Sequence, residues 1–160
     1  MLTVNIICIG NLKEKYLKEA VAEYQKRLKV FCKFEITELP EQKLPDNPSE
    51  NEIKQALKKE AEKIISKIPK GSAIISMAIE GKQLSSEQLA EKISAFSLRG
   101  FSTVSFVIGS SFGLCDEMKQ ESDFLLSMSK MTFPHQLARL MLCEQIYRAF
   151  GIINNTKYHK

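Results

Sequence analysis

The sequence lacks the features that would place it in a membrane or a secretory pathway. No apolar run comes near the roughly 18 residues that span a bilayer. The segment 1–8 has neither a basic region nor a small-residue cleavage site, so we interpret it as a first strand and not as a signal peptide. We therefore expect a cytoplasmic protein with no membrane partner.

Cysteine and histidine are also scarce, and neither is clustered. The four cysteines are far apart and form no C-x-x-C pair, which is typical of packing residues in a reduced cytosolic protein. Because a zinc site needs clustered ligands, we expect no metal. The chain has only two histidines, His135 and His159.

The residues that are present predict one α/β domain over 1–160. Apolar residues make up 44% of the chain and charged residues 26%, both near the averages of globular proteins, so disorder is not expected. Apolar β-branched runs alternate with segments of helical periodicity, and this order predicts a mostly parallel sheet flanked by helices. Strands are predicted at 3–9, 34–39, 72–79, 103–108 and 124–128, and helices at 12–29, 49–68, 85–99, 114–120 and 133–150.

The net charge of +4 is modest, but its distribution is uneven. Residues 128–160 contain five basic residues and one acid, and residues 13–33 contain seven basic residues and three acids. Solvated helix faces are the simpler interpretation of such runs, and a surface that binds nucleic-acid phosphates is the alternative.

Ligands of open α/β sheets bind beyond the carboxyl ends of the strands, which draws attention to the loops there. The loop after the first strand lacks the G-x-G-x-x-G pattern of dinucleotide sites. The loop 109–113 matches G-x-S-x-G between a strand and a helix, so a serine hydrolase with Ser111 as nucleophile is one hypothesis. Its partners would be Asp116 or Asp123 and one of the two histidines. The alternative is a glycine loop that approaches a ligand closely.

Two further segments carry chemistry. The loop 128–133 mixes thioether, hydroxyl and aromatic groups, and it could form a pocket wall that offers backbone amides to a flat ligand. His135 lies in the first turn of a helix, where the helix dipole disfavours a charged ring, so we expect a structural role. The segment 158–160 could stack on a base, hydrogen-bond it and contact phosphate.

Three segments together resemble the ribosomal RNA large subunit methyltransferase H family, the pseudouridine N3-methyltransferases. They are 107–113 (VIGSSFG), 127–136 (SMSKMTFPHQ) and 158–160 (YHK), and the likeness covers essentially the whole chain. The resemblance implies a SPOUT fold with a C-terminal trefoil knot, a homodimer, and S-adenosylmethionine as methyl donor with S-adenosylhomocysteine as product. It implies methylation of N3 of a pseudouridine in helix 69 of 23S ribosomal RNA on the assembled ribosome, with no role for DNA.

A hypothesis for this methyl transfer assigns roles to residues of the tail and the basic surface, and the resemblance itself implies the cofactor contacts. His159 is the expected base or hydrogen-bond acceptor, and Tyr158 the stacking and orienting group. The expected RNA contacts are Lys160, Arg139 and Lys13, although Arg139 and Arg148 could instead pair with Glu144. The expected cofactor contacts are Met77, Gly109, Met128, Ser129, Lys130, Met131, Thr132 and Phe133.

One position departs from the family pattern, and one alternative function stays open. Ser110 stands where the family usually has a second glycine, which would weaken cofactor binding if the position needed a positive φ. Because Gly109 and Gly113 remain, we expect the serine to be tolerated. A non-catalytic RNA-binding module associated with the ribosome would use the same basic surface without binding a cofactor.

Overall fold

The computed structural model describes residues 1–160 and contains five strands that alternate with five helices. The elements are β1 (Thr3–Ile9), α1 (Lys15–Leu28), β2 (Lys33–Leu39), α2 (Glu50–Lys67), β3 (Ser72–Gln83), α3 (Ser86–Leu98), β4 (Thr103–Ile108), α4 (Asp116–Gln120), β5 (Phe124–Ser127) and α5 (His135–Ile153). None of these helices is both long enough and apolar enough to cross a membrane.

The five strands form one sheet in the order β2-β1-β4-β3-β5, and every neighbouring pair is parallel. The predicted α/β class with a mostly parallel sheet is therefore confirmed. Since all strands run in the same direction, their carboxyl ends share one edge of the sheet, where ligands of such folds bind. The trefoil knot stays a prediction from the family resemblance.

Helices cover both faces of the sheet. α1, α3 and α5 pack over one face around a core that includes Ile6, Phe106 and Ile146. α2 and α4 cover the other face, where Ile64 and Met118 contact the buried side chains of β1 and β4. All six residues of β4 are buried, as expected of a central parallel strand.

Among the boundaries that differ from those predicted, two have a clear cause in the tertiary structure. α1 begins at Lys15 and not at residue 12, because the backbone N–H groups of Leu12 and Lys13 donate to the side chains of Glu38 and Gln136. β3 continues to Gln83, past the predicted end at residue 79, because its last residues pair with β5.

All four cysteines are buried and free of disulfide bonds, which agrees with their interpretation as packing residues. Burial raises the pKa of the Cys8 thiol to about 11 and that of the Cys143 thiol to about 12. These thiols therefore stay protonated at neutral pH and are poor nucleophiles.

Candidate active site

A cavity of about 690 Å³ lies at the carboxyl ends of β3, β4 and β5, beside the first turns of α5. Its volume falls within the range of roughly 300–1,000 Å³ that is typical of small-molecule and cofactor sites. Eleven of its 21 lining residues are hydrophobic, and most of the wall comes from residues 77–80, 108–114 and 131–135.

Seven of the eight residues predicted to contact a cofactor line this cavity. They are Met77, Gly109, Met128, Ser129, Met131, Thr132 and Phe133. Lys130 is the exception, since it lies in the same loop but is not part of the cavity wall. The structure thus brings together three segments that are distant in sequence, around Met77, Gly109 and residues 128–133. Cofactor binding by these residues stays a prediction.

An irregularity in β3 supplies one wall of the cavity. The pairing between β3 and β5 shifts register between Met77 and Lys82, which leaves residues 78–80 outside the regular ladder. A Cβ atom at Gly81 would lie 2.6 Å from the backbone oxygen of Leu125, so only glycine fits where the two strands come together again. Residues 78–80 consequently line the cavity.

The glycine loop after β4 is tightly folded. A Cβ atom at Gly109 would lie 2.4 Å from the carbonyl oxygen of Gly113, too close for any side chain. Gly113 has a φ of +86°, and its N–H donates to the carbonyl of Ser110 at 2.8 Å. Both glycines are therefore required by the turn itself.

Ser110 does not need the conformational freedom of glycine. It is not among the residues with positive φ. Its hydroxyl donates a buried 2.9 Å hydrogen bond to Glu60 of α2, and the other carboxylate oxygen of Glu60 accepts the N–H of Gln42. The serine thus ties the glycine loop to α2, in agreement with the expected tolerance.

The loop 128–133 is held by its own serines and leaves backbone donors free. Ser127 donates to the carbonyl of Ser129, whose hydroxyl accepts the N–H of Met131, both at 3.0 Å. The N–H groups of Thr132 and Phe133 form no hydrogen bond within the chain. A ligand in the cavity can therefore bond to the backbone of this loop, as predicted for a flat, partly apolar ligand.

Arg139 was predicted as an RNA contact, and the structure does not support that role. Its side chain is 1% exposed, and its two terminal nitrogens donate to Glu38 and to the carbonyl oxygen of Gly10. Lys13 is exposed and lines a second, polar cavity at the carboxyl ends of β1 and β2. Lys160 is also exposed, and both lysines stay predicted RNA contacts.

The tail packs against its own chain. The Tyr158 ring meets that of Tyr147 edge-on, with centroids 4.7 Å apart, and the Arg148 guanidinium lies 4.8 Å from the Tyr158 centroid. Arg148 also pairs with Glu144, which was one of the two roles predicted for it. Burial is the main reason that the pKa of Tyr158 rises to about 12.

His159 is held between an arginine and a glutamate. Its Nδ1 lies 3.1 Å from Arg148, and its Nε2 lies 2.6 Å from Glu87 of α3. Arginine can only donate, so Nδ1 accepts and Nε2 carries the proton that is donated to Glu87. This hydrogen bond also lowers the pKa of Glu87. In this position neither ring nitrogen is free to accept a substrate proton.

The tail and the cavity are separated within one chain. None of the residues 158–160 lines the cavity. Glu144 and Arg148, which hold the tail, follow His135 by nine and 13 residues along α5. At 1.5 Å per residue these distances are roughly 14 and 20 Å along the helix axis. The predicted role of residues 158–160 at this cavity therefore requires either movement of the tail or a second chain.

The residues of the hypothetical serine hydrolase form no hydrogen-bonded triad, although Ser111 and His135 line the same cavity. Ser111 is exposed and forms no side-chain hydrogen bond with either histidine. Asp123 accepts the N–H of Ile74, and His159 is bonded to Glu87 and Arg148. The structure thus offers no activated nucleophile at this loop.

Several cavity residues were not predicted. They are residues 78–80, Leu126, Pro134, His135 and Ala138. The Gly-Lys turn after Ile79 signals a backbone irregularity, but it does not reveal on which side of the sheet the strand opens. His135 was assigned a structural role from its helix position alone, although its ring lies at the cavity wall.

Comparison with known proteins gives a consistent result. The family described as "Predicted SPOUT methyltransferase" matches residues 2–159. A Streptococcus uberis protein named ribosomal RNA large subunit methyltransferase H is 48% identical over 157 residues, which cover 98% of this chain and 99% of that protein. A protein of the same name from Streptococcus thermophilus is 50% identical with the same coverage.

A solved structure shares the fold. It is described as a probable methylase family protein from Haemophilus influenzae and aligns with a TM-score of 0.54. The alignment covers 98% of this chain and 70% of that one. At 16% identity this likeness concerns the fold alone.

Proposed function

Because the chain belongs to the SPOUT methyltransferase family, we propose that it methylates N3 of a pseudouridine in large-subunit ribosomal RNA, with S-adenosylmethionine as donor. Relatives that are 48–50% identical over 98% of the chain are named ribosomal RNA large subunit methyltransferase H. The observation that carries the proposal is the cavity in which Met77, Gly109 and the loop 128–133 meet.

The cavity fits the donor in size and in chemistry. Apolar side chains such as Ile108, Leu126 and Met128 can cover the flat adenine ring. The free N–H groups of Thr132 and Phe133 can bond to its polar edge. S-adenosylmethionine supplies a methyl group on a sulfonium, which leaves as a neutral thioether, so the transfer itself requires no Lewis acid.

The protein has two tasks in such a transfer. It must align the acceptor nitrogen with the methyl group, and it must accept the proton that N3 loses. His159 stays the predicted base. Because both of its ring nitrogens are bonded in this structure, it can accept that proton only after its contact with Arg148 is released.

The separation of tail and cavity supports the expected homodimer. One chain does not bring residues 158–160 to its own cavity, whereas the tail of a second chain could complete the site. We accordingly propose that Tyr158 and His159 of one chain serve the cavity of the other, with Lys160 at an RNA phosphate. The ribosome is the expected partner and the cytoplasm the expected location.

Two measurements test the proposal. Calorimetry should show binding of S-adenosylmethionine and S-adenosylhomocysteine, and a protein that binds RNA but neither compound would be the non-catalytic module considered above. Mass spectrometry of ribosomal RNA from cells with and without the gene should show one methylated pseudouridine that depends on the protein. An unchanged RNA methylation pattern would contradict the proposed activity.

A further inference from the structure

A second cavity, of about 460 Å³, lies at the carboxyl ends of β1 and β2. Only one of its nine lining residues is hydrophobic, in contrast to the mixed walls of the first cavity. Its polar side chains belong to Asn11, Lys13, Glu38, Glu41, His135 and Gln136.

The two cavities share one wall residue, His135. The imidazole also lies close to the loop after β1, since a Cβ atom at Gly10 would be 3.7 Å from its Nε2. A ligand in the polar cavity and a ligand in the first cavity would therefore both lie beside His135. Methyl transfer requires such neighbouring sites, because acceptor and donor must come into contact.

We propose that this polar cavity binds the base of the acceptor nucleoside, an inference that rests on the proposed function. Its charges are balanced, because Arg139 pairs with Glu38 and Lys13 offsets Glu41, so no net positive charge attracts an anion. A neutral ring with both donors and acceptors fits better than a phosphate group does. A pseudouridine base is such a ring, with two carbonyl groups on either side of N3 and a second N–H at N1.

The side chains needed for such a base are free. Asn11, Lys13 and Glu41 are exposed, and their side chains form no hydrogen bond or ion pair within the chain. The Oε1 of Gln136 accepts the backbone N–H of Lys13, which leaves its NH₂ group to donate. Amide and ammonium groups can therefore donate to the carbonyls of the base, and a carboxylate can accept from an N–H.

Glu41 can make the cavity specific for pseudouridine over uridine. Pseudouridine carries a hydrogen on N1, whereas in uridine that nitrogen is bonded to the ribose. A carboxylate that accepts from N1–H would favour pseudouridine over uridine, because uridine would leave the acceptor without a donor. Glu41 and Asn11 are thus assigned to specificity and binding of the acceptor base.

Steady-state methylation of ribosomes tests this assignment. The substrates are ribosomes from cells that lack this gene, with and without the pseudouridine synthase that modifies the target, and the variants are Asn11→Ala and Glu41→Gln. Both should lower kcat/KM by tenfold or more, mainly through KM, with affinity for S-adenosylmethionine within twofold of wild type. Glu41→Gln should also reduce the preference for pseudouridine over uridine.

The control is Lys70→Ala, an exposed residue in the turn before β3, at the opposite edge of the sheet. If both variants showed the same kinetics as this control, the inference would be overturned. It would also be overturned if their affinity for S-adenosylmethionine fell as much as kcat/KM, because both residues would then belong to the cofactor site. Thermal unfolding establishes that each variant is folded. Failure of the wild-type protein to methylate any ribosome would instead contradict the proposed function.

Discussion

Arg139 is a buried cation that joins three parts of the candidate site. It extends from the second turn of α5, and its terminal nitrogens bond to Glu38 at the end of β2 and to the carbonyl of Gly10 after β1. Its Nε is buried without a partner. The guanidinium therefore fixes α5 against the carboxyl ends of two strands, which form the wall of the polar cavity.

Replacement of Arg139 by methionine should destabilise the fold. The long apolar side chain preserves the packing, but the Gly10 carbonyl loses its donor and Oε2 of Glu38 loses its cation, keeping only the N–H of Leu12. Because Glu38 is partly exposed, we expect a loss of about 2–4 kcal/mol in the free energy of unfolding, somewhat less than for fully buried pairs.

Urea denaturation measures this loss, with Lys18→Met on the exposed face of α1 as the control that should change stability by less than about 0.5 kcal/mol. An Arg139→Met protein of wild-type stability but with a weaker salt dependence of ribosome binding would restore the RNA-contact prediction.

Substitution of Gly109 by alanine should impair the first cavity. The new methyl group would meet the carbonyl of Gly113 and the side chain of Leu114, so the loop must shift. Such overpacking costs typically 1–3 kcal/mol, and it moves the backbone of a loop that lines the cavity proposed to bind the donor. We expect at least tenfold weaker binding of S-adenosylmethionine by calorimetry.

The matched substitution is Gly100→Ala. A Cβ atom at Gly100 meets nothing within 4 Å, but the φ of +96° strains any residue other than glycine. This substitution therefore introduces backbone strain far from the cavity. It should lower the melting temperature without changing donor affinity. Equal donor affinity in both variants would show that the loop 109–113 does not contact the donor.

The sequence patterns identified the loops that form the cavity. They were less successful in identifying the individual side chains that line it. Gly109 and the loop 128–133 were placed correctly at the sheet edge. Lys130 of that loop does not line the cavity and Arg139 is buried, and the sequence could not reveal either fact, because the direction of a side chain in a loop or on a helix depends on tertiary packing. A basic residue on α5 has the same sequence signature whether it is buried with Glu38 or exposed to RNA.

At the scale of elements, prediction succeeded where local signals and tertiary packing agree. Capping boxes form at Ser49 and Ser85, and they start α2 and α3 within one residue of the predicted ranges 49–68 and 85–99. The irregular end of β3 could not be predicted, because its course depends on β5, a strand about 50 residues later in the chain. That unpredicted feature shapes one wall of the candidate site.

The segment 158–160 is the second element whose role depends on its surroundings. Deletion of these three residues should abolish methylation of ribosomes while donor affinity stays within twofold of wild type. The reason is that the tail contributes nothing to the cavity wall of its own chain, but carries the predicted base and stacking group.

Calorimetry and radiolabelled methyl transfer measure the two quantities. Lys157→Ala, an exposed residue just before the segment, is the control that keeps the three residues in place. A truncated protein with wild-type turnover would contradict the tail assignment. Loss of donor binding on truncation would mean that the tail supports the cavity structurally.

At the scale of the whole molecule, α5 is apolar on more than one side. Leu142 and Ile146 are fully buried against the sheet, while Leu137 and Ile153 remain 38% and 36% exposed. Exposed apolar side chains on a helix that also carries the site are consistent with a protein partner. A second copy of the chain, expected from the family resemblance, would cover them and would bring a second tail.

Mixing of two inactive proteins tests whether the site is shared between chains. One protein lacks residues 158–160 and keeps its cavity, and the other carries Gly109→Ala and keeps its tail. In a mixed dimer, the intact cavity of the first chain meets the intact tail of the second, so methylation should return. With random exchange of chains, half of the dimers are mixed and about a quarter of all sites are complete.

At a donor concentration that saturates the wild-type cavity but not the Gly109→Ala cavity, the expected rate is therefore about a quarter of the wild-type rate at equal total protein, and each protein alone should show little or no activity. Light scattering should give twice the chain mass of 18.2 kDa and so establish the dimer. Exchange of chains is verified with differently tagged proteins. If mixed dimers form and methylation does not return, the tail must act on its own chain, which would require it to leave Arg148 and Glu87 and to move roughly 14–20 Å along α5.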